Sequence, residues 1–352
     1  MSKESTKTYN LLITSFLEKE HVERIREVDE RINVIYHPNL IPPPRYIADH
    51  DGDPNFKRTP AQEQQWQRLL SQADILFDFD HTHRSDLPDL APNVQWIQFT
   101  SSGIGAFVNR ERYHERMPNT IFTTASGVHA QPLAEFCLLV MLMFTKKLRR
   151  VLEFQSKKVW ERYTGTDLKD STLTVVGVGR VGSKIAEFGK AVGMRVLGVD
   201  KEIENKEPDQ FYVDELYHIS DLMTALRQTD YLVLMAPHTP ETENMIGKAE
   251  LAALPQGAVL INVGRGALVV EDELIAALQS GHLAGAGLDV FATEPLPPES
   301  PLWEMPNVLV SPHSGSTSYK ENALITDILC YNITRFLNGQ PLRNVLDPIK
   351  MY

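Results

Sequence analysis

Apolar residues fall along this chain in short, nearly continuous runs, separated by segments in which apolar positions recur every three or four residues. From residue 172 the runs are TLTVV (172–176), MRVLGV (194–199), YLVLMA (231–236), AVLINV (258–263), LAGAGLDV (283–290) and NVLV (307–310). Runs this short, without alternation, predict strands buried on both faces. The periodic segments between them, such as GSKIAEFGKAV and EDELIAALQSG, predict helices, the second with an acidic first turn and a glycine stop. Six buried strands with intervening helices describe a doubly wound parallel α/β sheet of the Rossmann type.

The first half repeats this rhythm more loosely. YNLLITSF, INVIYH, ADILFDF, VQWIQFT and TIFTT predict strands, and HVERIREVDE and AQEQQWQRLL predict helices, which makes a second, smaller α/β domain. Residues 39–60, rich in proline and charge, predict a long ordered loop. The segment QPLAEFCLLVMLMFTKKLRR (131–150) predicts one long helix, buried on most sides, that connects the domains; so apolar a surface also suits a subunit interface. A last helix, ENALITDILCYNITRFLNG (321–339), is expected to cross back to the first domain. The expected division is therefore 1–130 plus 318–352 for the smaller domain and 131–317 for the Rossmann domain.

Size and charge narrow the function. A chain of 352 residues exceeds what one core usually serves. A formal net charge of -11 disfavours nucleic acid or an anionic membrane as partner, while leaving room for a small anionic substrate held by a local arginine. The start, MSKESTKTYN, has no apolar signal core, and the longest apolar stretch, FCLLVMLMF (136–144), is too short to span a bilayer, so a cytoplasmic protein is expected. Cys137 and Cys330 lie far apart in apolar surroundings and read as core thiols.

Candidate chemistry sits at the ends of the predicted strands. VVGVGRVG (175–182) carries G-x-G-x-x-G as Gly177, Gly179 and Gly182, after a strand and opening a helix. The next strand ends at Asp200, where a carboxylate can accept from ribose hydroxyls and repel a 2′-phosphate, so NAD is expected rather than NADP. Lys201 is the neighbour that could turn toward a phosphate instead. Arg265 follows AVLINV between two glycines, Glu294 follows AGLDVF, and His313 follows NVLV within SPHSGS. Ligands of open α/β sheets bind outside the carboxyl ends of the strands, so these three can meet there. An imidazole can exchange a hydroxyl proton, a carboxylate can orient it, and a guanidinium can hold a 2-oxo acid and polarise its carbonyl.

NVGRG (262–266), GLDVF with Glu294 and Pro295, and SPH (311–313) resemble the signatures of the D-isomer-specific 2-hydroxyacid dehydrogenases, as do GVGRVG, Asp200 and MAPHTPET (235–242). The resemblance runs from Gln131 to Asn344 and is weaker over the first hundred residues. It implies a flavodoxin-like substrate domain, a homodimer, and NAD-dependent reduction of a 2-oxo acid catalysed by Arg265, Glu294 and His313. It also implies cofactor contacts from Gly177, Gly179, Arg180, Val181, Gly182, Asp200, Ala236, Pro237, Val263, Asp289 and Gly315. Backbone amides of TSSGIG (100–105), at Ser102, Gly103 and Ile104, would meet the substrate carboxylate. The family more often has alanine where Ser102 stands and an acidic residue where Gly105 stands. Alternatives that share the pattern are phosphite oxidation and the NAD-sensing corepressors, which keep a similar trio without being enzymes. The phosphoglycerate enzymes often add a regulatory domain, for which no room is expected after Asp347. DFDHTHRSD (78–86) has metal-ligand composition, but no metal is expected; the loop reads as a cleft wall or a solvated turn.

Overall fold

A computed structural model describes residues 7–204, 206–348 and 350. The chain divides into two compact units, one running to Val128 and resuming at Thr317, the other comprising His129–Ser316.

The first unit is built on five parallel strands: β1 (Tyr9–Ile13), β2 (Ile32–Ile35), β3 (Ile75–Phe77), β4 (Trp96–Gln98) and β5 (Ile121–Thr123), in the order β2-β1-β3-β4-β5. This is the flavodoxin-like order, with its switch point between β1 and β3. Alternate side chains leave each strand on opposite faces, and both faces are covered. Leu12, Leu76 and Ile97 pack with Trp66 and Leu70 of the helix Pro60–Gln72. Leu11, Ile13, Ile75 and Phe77 pack with Val22 and Ile25 of the helix Lys19–Arg26 and with Ile325, Leu329 and Ile333 of the helix Glu321–Leu337. Residues 39–60 form a loop with a single short turn of helix next to its start, Pro38–Leu40. It stops where Thr59 and Gln62 cap each other's backbone amides ahead of Pro60.

The second unit has seven parallel strands: β6 (Thr172–Val176), β7 (Arg195–Asp200), β8 (Glu215–His218), β9 (Tyr231–Leu234), β10 (Val259–Asn262), β11 (Gly285–Leu288) and β12 (Val308–Val310), ordered β12-β11-β10-β9-β6-β7-β8. The sequence pattern predicts six of these. The seventh, β8, is the outer edge; its ELYH is only partly buried and carries no apolar run, so it lacks the signature of a central strand. The helix expected over 131–150 is in fact two, Ala130–Thr145 and Leu148–Lys157, separated by a left-handed Lys147. The break falls where the apolar sequence gives way to KKLRR. The second helix buries none of its residues, so no core surface was available to continue the first. Leu133, Ala134, Cys137, Val140 and Met141 of the first helix join the core with Val175, Ile185 and Ile261. Among the described residues no helix is long and apolar enough to cross a membrane.

Candidate active site

β12, β11 and β10 are sheet neighbours, and each releases its chain at the same carboxyl edge. Arg265 leaves β10 on a turn tied by Asn262, whose Oδ1 accepts from the Gly264 amide at 3.2 Å and whose Nδ2 donates to the Arg265 carbonyl at 2.9 Å. A side chain at Gly266 would come within 1.9 Å of the Phe291 backbone, so only glycine lets this turn lie against the one that carries Glu294. The amide of Phe291 donates to Glu294 Oε1 at 3.0 Å, and the other carboxylate oxygen meets His313 Nδ1 at 2.7 Å. That contact commits Nδ1 and leaves Nε2 as the nitrogen available to a ligand. His313 itself is held in a left-handed conformation (φ 52°). Behind it, the buried Asp289 Oδ1 accepts from Ser311 Oγ (2.5 Å), Ser314 N (2.9 Å) and Gly315 N (2.8 Å), which fixes the turn 311–315.

The three ionisable groups act on one another. The hydrogen bond from Glu294 raises the His313 pKa above its ordinary value, against burial and the Arg265 charge. Burial opposes ionisation of Glu294, yet His313, the Phe291 amide and Arg265 outweigh it and hold the carboxyl below its usual range. Burial lowers the Arg265 guanidinium, and the Glu294 charge partly restores it. The pair favours a protonated imidazole against an ionised carboxylate beside a cation, an arrangement able to bind an anion and exchange a proton with it.

The glycine loop lies at the switch point between β6 and β9. Gly177 has φ 97°, and a Cβ there would meet the Ala236 amide nitrogen at 2.7 Å; a Cβ on Gly182 would strike the Gly177 carbonyl at 2.1 Å. Gly179, by contrast, faces open space, just ahead of the helix Arg180–Ala191 with Val181 in its first turn. This cradle fits a dinucleotide pyrophosphate, whose negative charge the helix N-terminus favours. Ala236 and Val263 are buried at the ends of β9 and β10, and Pro237 is exposed. Asp200 ends β7, with Oδ2 accepting from the Val178 amide at 2.9 Å and Oδ1 from the Glu202 amide at 3.0 Å. Its cationic partner is Lys206, at 2.8 Å.

In the first unit, residues 100–105 follow β4. Ser102 is half-buried, Gly103 is exposed and donates its amide to Ser101 Oγ at 3.3 Å, and the Ile104 side chain is buried in the core with Phe79 and Val108. Ile104 therefore has only its backbone to present. The loop 78–86 is more buried than its composition suggests. Asp78 and Asp80 are fully buried, the Trp66 indole donates to Asp80 at 2.6 Å, and His83 bridges Glu63 (2.8 Å) and Asp86 (3.0 Å). Among the described residues no group of three or more His, Cys, Asp or Glu side chains has metal-binding geometry.

Residues 138–315 match the family model described as D-isomer specific 2-hydroxyacid dehydrogenase, NAD binding domain. The chain is also 35% identical over 303 residues to a glyoxylate/hydroxypyruvate reductase B of Citrobacter koseri, covering 84% of this chain and 90% of that one. The chain belongs to the D-isomer specific 2-hydroxyacid dehydrogenase family. A glyoxylate reductase of Korarchaeum cryptofilum is 33% identical over 64% of the chain and 68% of its own length. Among solved structures, a family member from Aeromonas salmonicida superposes with a TM-score of 0.79 at 28% identity, covering 98% of this chain and 100% of its own. An NADPH-dependent glyoxylate/hydroxypyruvate reductase from Sinorhizobium meliloti, in complex with NADP and sulfate, gives 0.78 at 26%, with the same coverage. This 2-hydroxyacid dehydrogenase is thus an oxidoreductase with a nicotinamide dinucleotide-binding Rossmann domain and a substrate domain. In the dehydrogenase the sequence brings together Arg265, Glu294 and His313 as expected from their strand ends. Asn262 and Ser311 lie in the NVGRG and SPH motifs, but their roles in fixing the Arg265 turn and in bonding Asp289 were not foreseen, and nothing marked Lys206, which reaches Asp200 from six positions on.

Proposed function

We propose that this dehydrogenase reduces a small 2-oxo acid to the D-2-hydroxy acid with NADH, reversibly. The observation that carries the reading is the 2.7 Å contact between His313 and Glu294 beside Arg265, on three adjacent strand ends. The bound nicotinamide supplies the hydride that the carbonyl carbon takes up. Arg265 holds the substrate carboxylate and draws electron density toward the carbonyl oxygen. His313 donates its Nε2 proton to that oxygen, and Glu294 at Nδ1 keeps the ring oriented and stabilises the charge it carries beforehand. In the oxidative direction the same nitrogen takes the hydroxyl proton back. Ser102, Gly103 and Ile104 belong to the proposal as substrate-loop residues, through their backbone amides.

NAD is favoured by Asp200 at the end of β7, since a second negative charge disfavours the 2′-phosphate of NADP. The Lys206 ion pair weakens that discrimination, so the preference for NAD is one of degree. The cofactor contacts proposed are Gly177, Gly179, Arg180, Val181, Gly182, Ala236, Pro237, Val263, Asp289 and Gly315 together with Asp200. Relatives that are glyoxylate or hydroxypyruvate reductases support a short substrate side chain. A cytoplasmic location is part of the same proposal.

A homodimer is part of the proposal. Leu139, Leu142, Leu152 and Val159 are exposed on or just beyond the two helices of residues 130–157, and Trp160 is fully exposed. Exposed apolar side chains gathered in one stretch of the chain support an interface there. Light scattering after gel filtration should find a dimer, and Trp160→Glu should shift it toward monomer; an unchanged dimer would move the interface elsewhere. The reaction itself is tested by NADH and NADPH oxidation across glyoxylate, hydroxypyruvate, pyruvate and phenylpyruvate, with His313→Ala as control. Turnover that survives His313→Ala would overturn the mechanism.

A further inference from the structure

The first unit contains a buried charge network that the reaction scheme does not use. Asp78 follows β3 directly, in a left-handed conformation (φ 70°), and its side chain is completely buried. Its Oδ2 accepts from Thr100 Oγ1 at 2.9 Å and from His81 Nε2 at 3.0 Å, while Oδ1 is buried without a hydrogen-bond partner. His81 continues through Nδ1 to Asp51 at 2.6 Å, in the loop 39–60, and its ring packs on Phe79 at 4.2 Å. Arg84 also reaches Asp51, at 3.2 Å. Burial disfavours the imidazolium, but Asp78 and Asp51 more than offset it and push His81 up to about 9.

Such a network is an expensive way to build a turn. A buried carboxylate with one oxygen unsatisfied, on a backbone that side chains rarely adopt, costs stability that an apolar residue would not. Its output is Thr100, the residue from which the loop 100–105 departs. On the other flank of β4 the Ala125 amide donates to the Ser101 carbonyl at 3.2 Å, so the base of the loop is pinned from the β3 side by a side chain and from the β5 side by the backbone.

We propose that Asp51, His81 and Asp78 form a positioning relay that, through Thr100, holds the loop 100–105 in the conformation that receives the substrate carboxylate. The inference rests on the assignment of that loop to substrate in the proposed function. The contacts of the relay lead to Thr100 and the base of the loop 100–105, so the expected effect is on substrate affinity, with the chemical step and NADH binding as in the parent.

The test is Thr100→Val against Thr100→Ser, with steady-state kinetics, NADH fluorescence titration and hydrogen exchange of the amides 101–105. Thr100→Val keeps shape and loses the donor; it should raise KM for the 2-oxo acid roughly tenfold, the loss of one hydrogen bond to a charged acceptor, with kcat and NADH affinity near those of the parent. Its 101–105 amides should exchange faster. Thr100→Ser restores the hydroxyl and should restore KM. Asp78→Asn serves as a second variant if it folds, with the same expected pattern. An active parent whose KM is unmoved by Thr100→Val, or a Thr100→Ser as impaired as Thr100→Val, overturns the relay alone. A parent inactive with every 2-oxo acid and both cofactors overturns the proposed function and the loop's role with it.

Discussion

Arg265→Ala is the most direct probe of the site. The substitution removes the guanidinium while sparing the turn, because Asn262 holds the residue by its carbonyl and Gly266 sets the fit against Phe291. A guanidinium that grips a carboxylate and carbonyl forms two charge-assisted hydrogen bonds, each contributing about 1.5–3 kcal/mol. Arg265 Nη1 already donates to its own Gly264 carbonyl at 2.6 Å, so part of its donor capacity is engaged and the lower half of the summed range applies. A loss of roughly 3–4 kcal/mol is a fall of about 10²–10³ in kcat/KM. The assay is NADH oxidation with the best 2-oxo acid, beside NADH affinity by fluorescence, which should not move. Arg265→Lys should fall between, since a point charge replaces a planar fork. If Arg265→Ala matched the parent in kcat/KM, or lost NADH affinity to the same extent as activity, its assignment to substrate would be refuted.

Three further outcomes follow from the geometry. His313 is raised by Glu294, so its protonated form, the proton donor of the proposed scheme, persists above the usual imidazole range and is lost as pH rises through the raised value. Glu294→Gln should therefore move the alkaline fall of the reduction rate to lower pH, and a pH profile with that limb unshifted argues against the pair. Gly266→Ala should lower unfolding free energy by about 1–3 kcal/mol through overpacking and abolish most activity, read by denaturant titration and turnover; a variant as stable and active as the parent would mean the turns separate freely. Asp200→Ala should narrow the ratio of NADH to NADPH efficiency, whereas Lys206→Ala, by baring the carboxylate, should widen it. Equal ratios in all three proteins would place discrimination elsewhere.

The central strands were legible because burial on both faces of a parallel sheet leaves continuous apolar runs, and the clustering of Arg265, Glu294 and His313 was legible because groups that follow the strand ends of such a sheet share one edge. β8 was hidden for the converse reason: an edge strand needs no apolar run. The break at Lys147 was hidden because KKLRR has good helix propensity, and only the loss of a core to pack against, a tertiary fact, turns the chain. The burial at the start of the 78–86 loop could not be read from its composition: Asp78 and Asp80 are fully buried, the Trp66 indole meets Asp80, and His81 and His83 pair with Asp51 and Glu63 from outside the loop. Likewise Lys201 adjoins Asp200 in sequence, but the ion pair goes to Lys206 across a loop.

The helix Glu321–Leu337 has a bearing on how the protein is made. Ile325, Leu329 and Ile333 are fully buried and cover the sheet face formed by Leu11, Ile13, Ile75 and Phe77. On the ribosome these strands emerge first and their cover emerges last, after all of His129–Ser316. The second unit can complete its core during synthesis, while the first must carry an open apolar face until the final helix is released. Released chains truncated before Thr317 should therefore hold a folded nucleotide-binding unit attached to a sticky, chaperone-dependent sheet, and mutations that weaken the helix Glu321–Leu337 should show up as lost yield before they show up as lost catalysis.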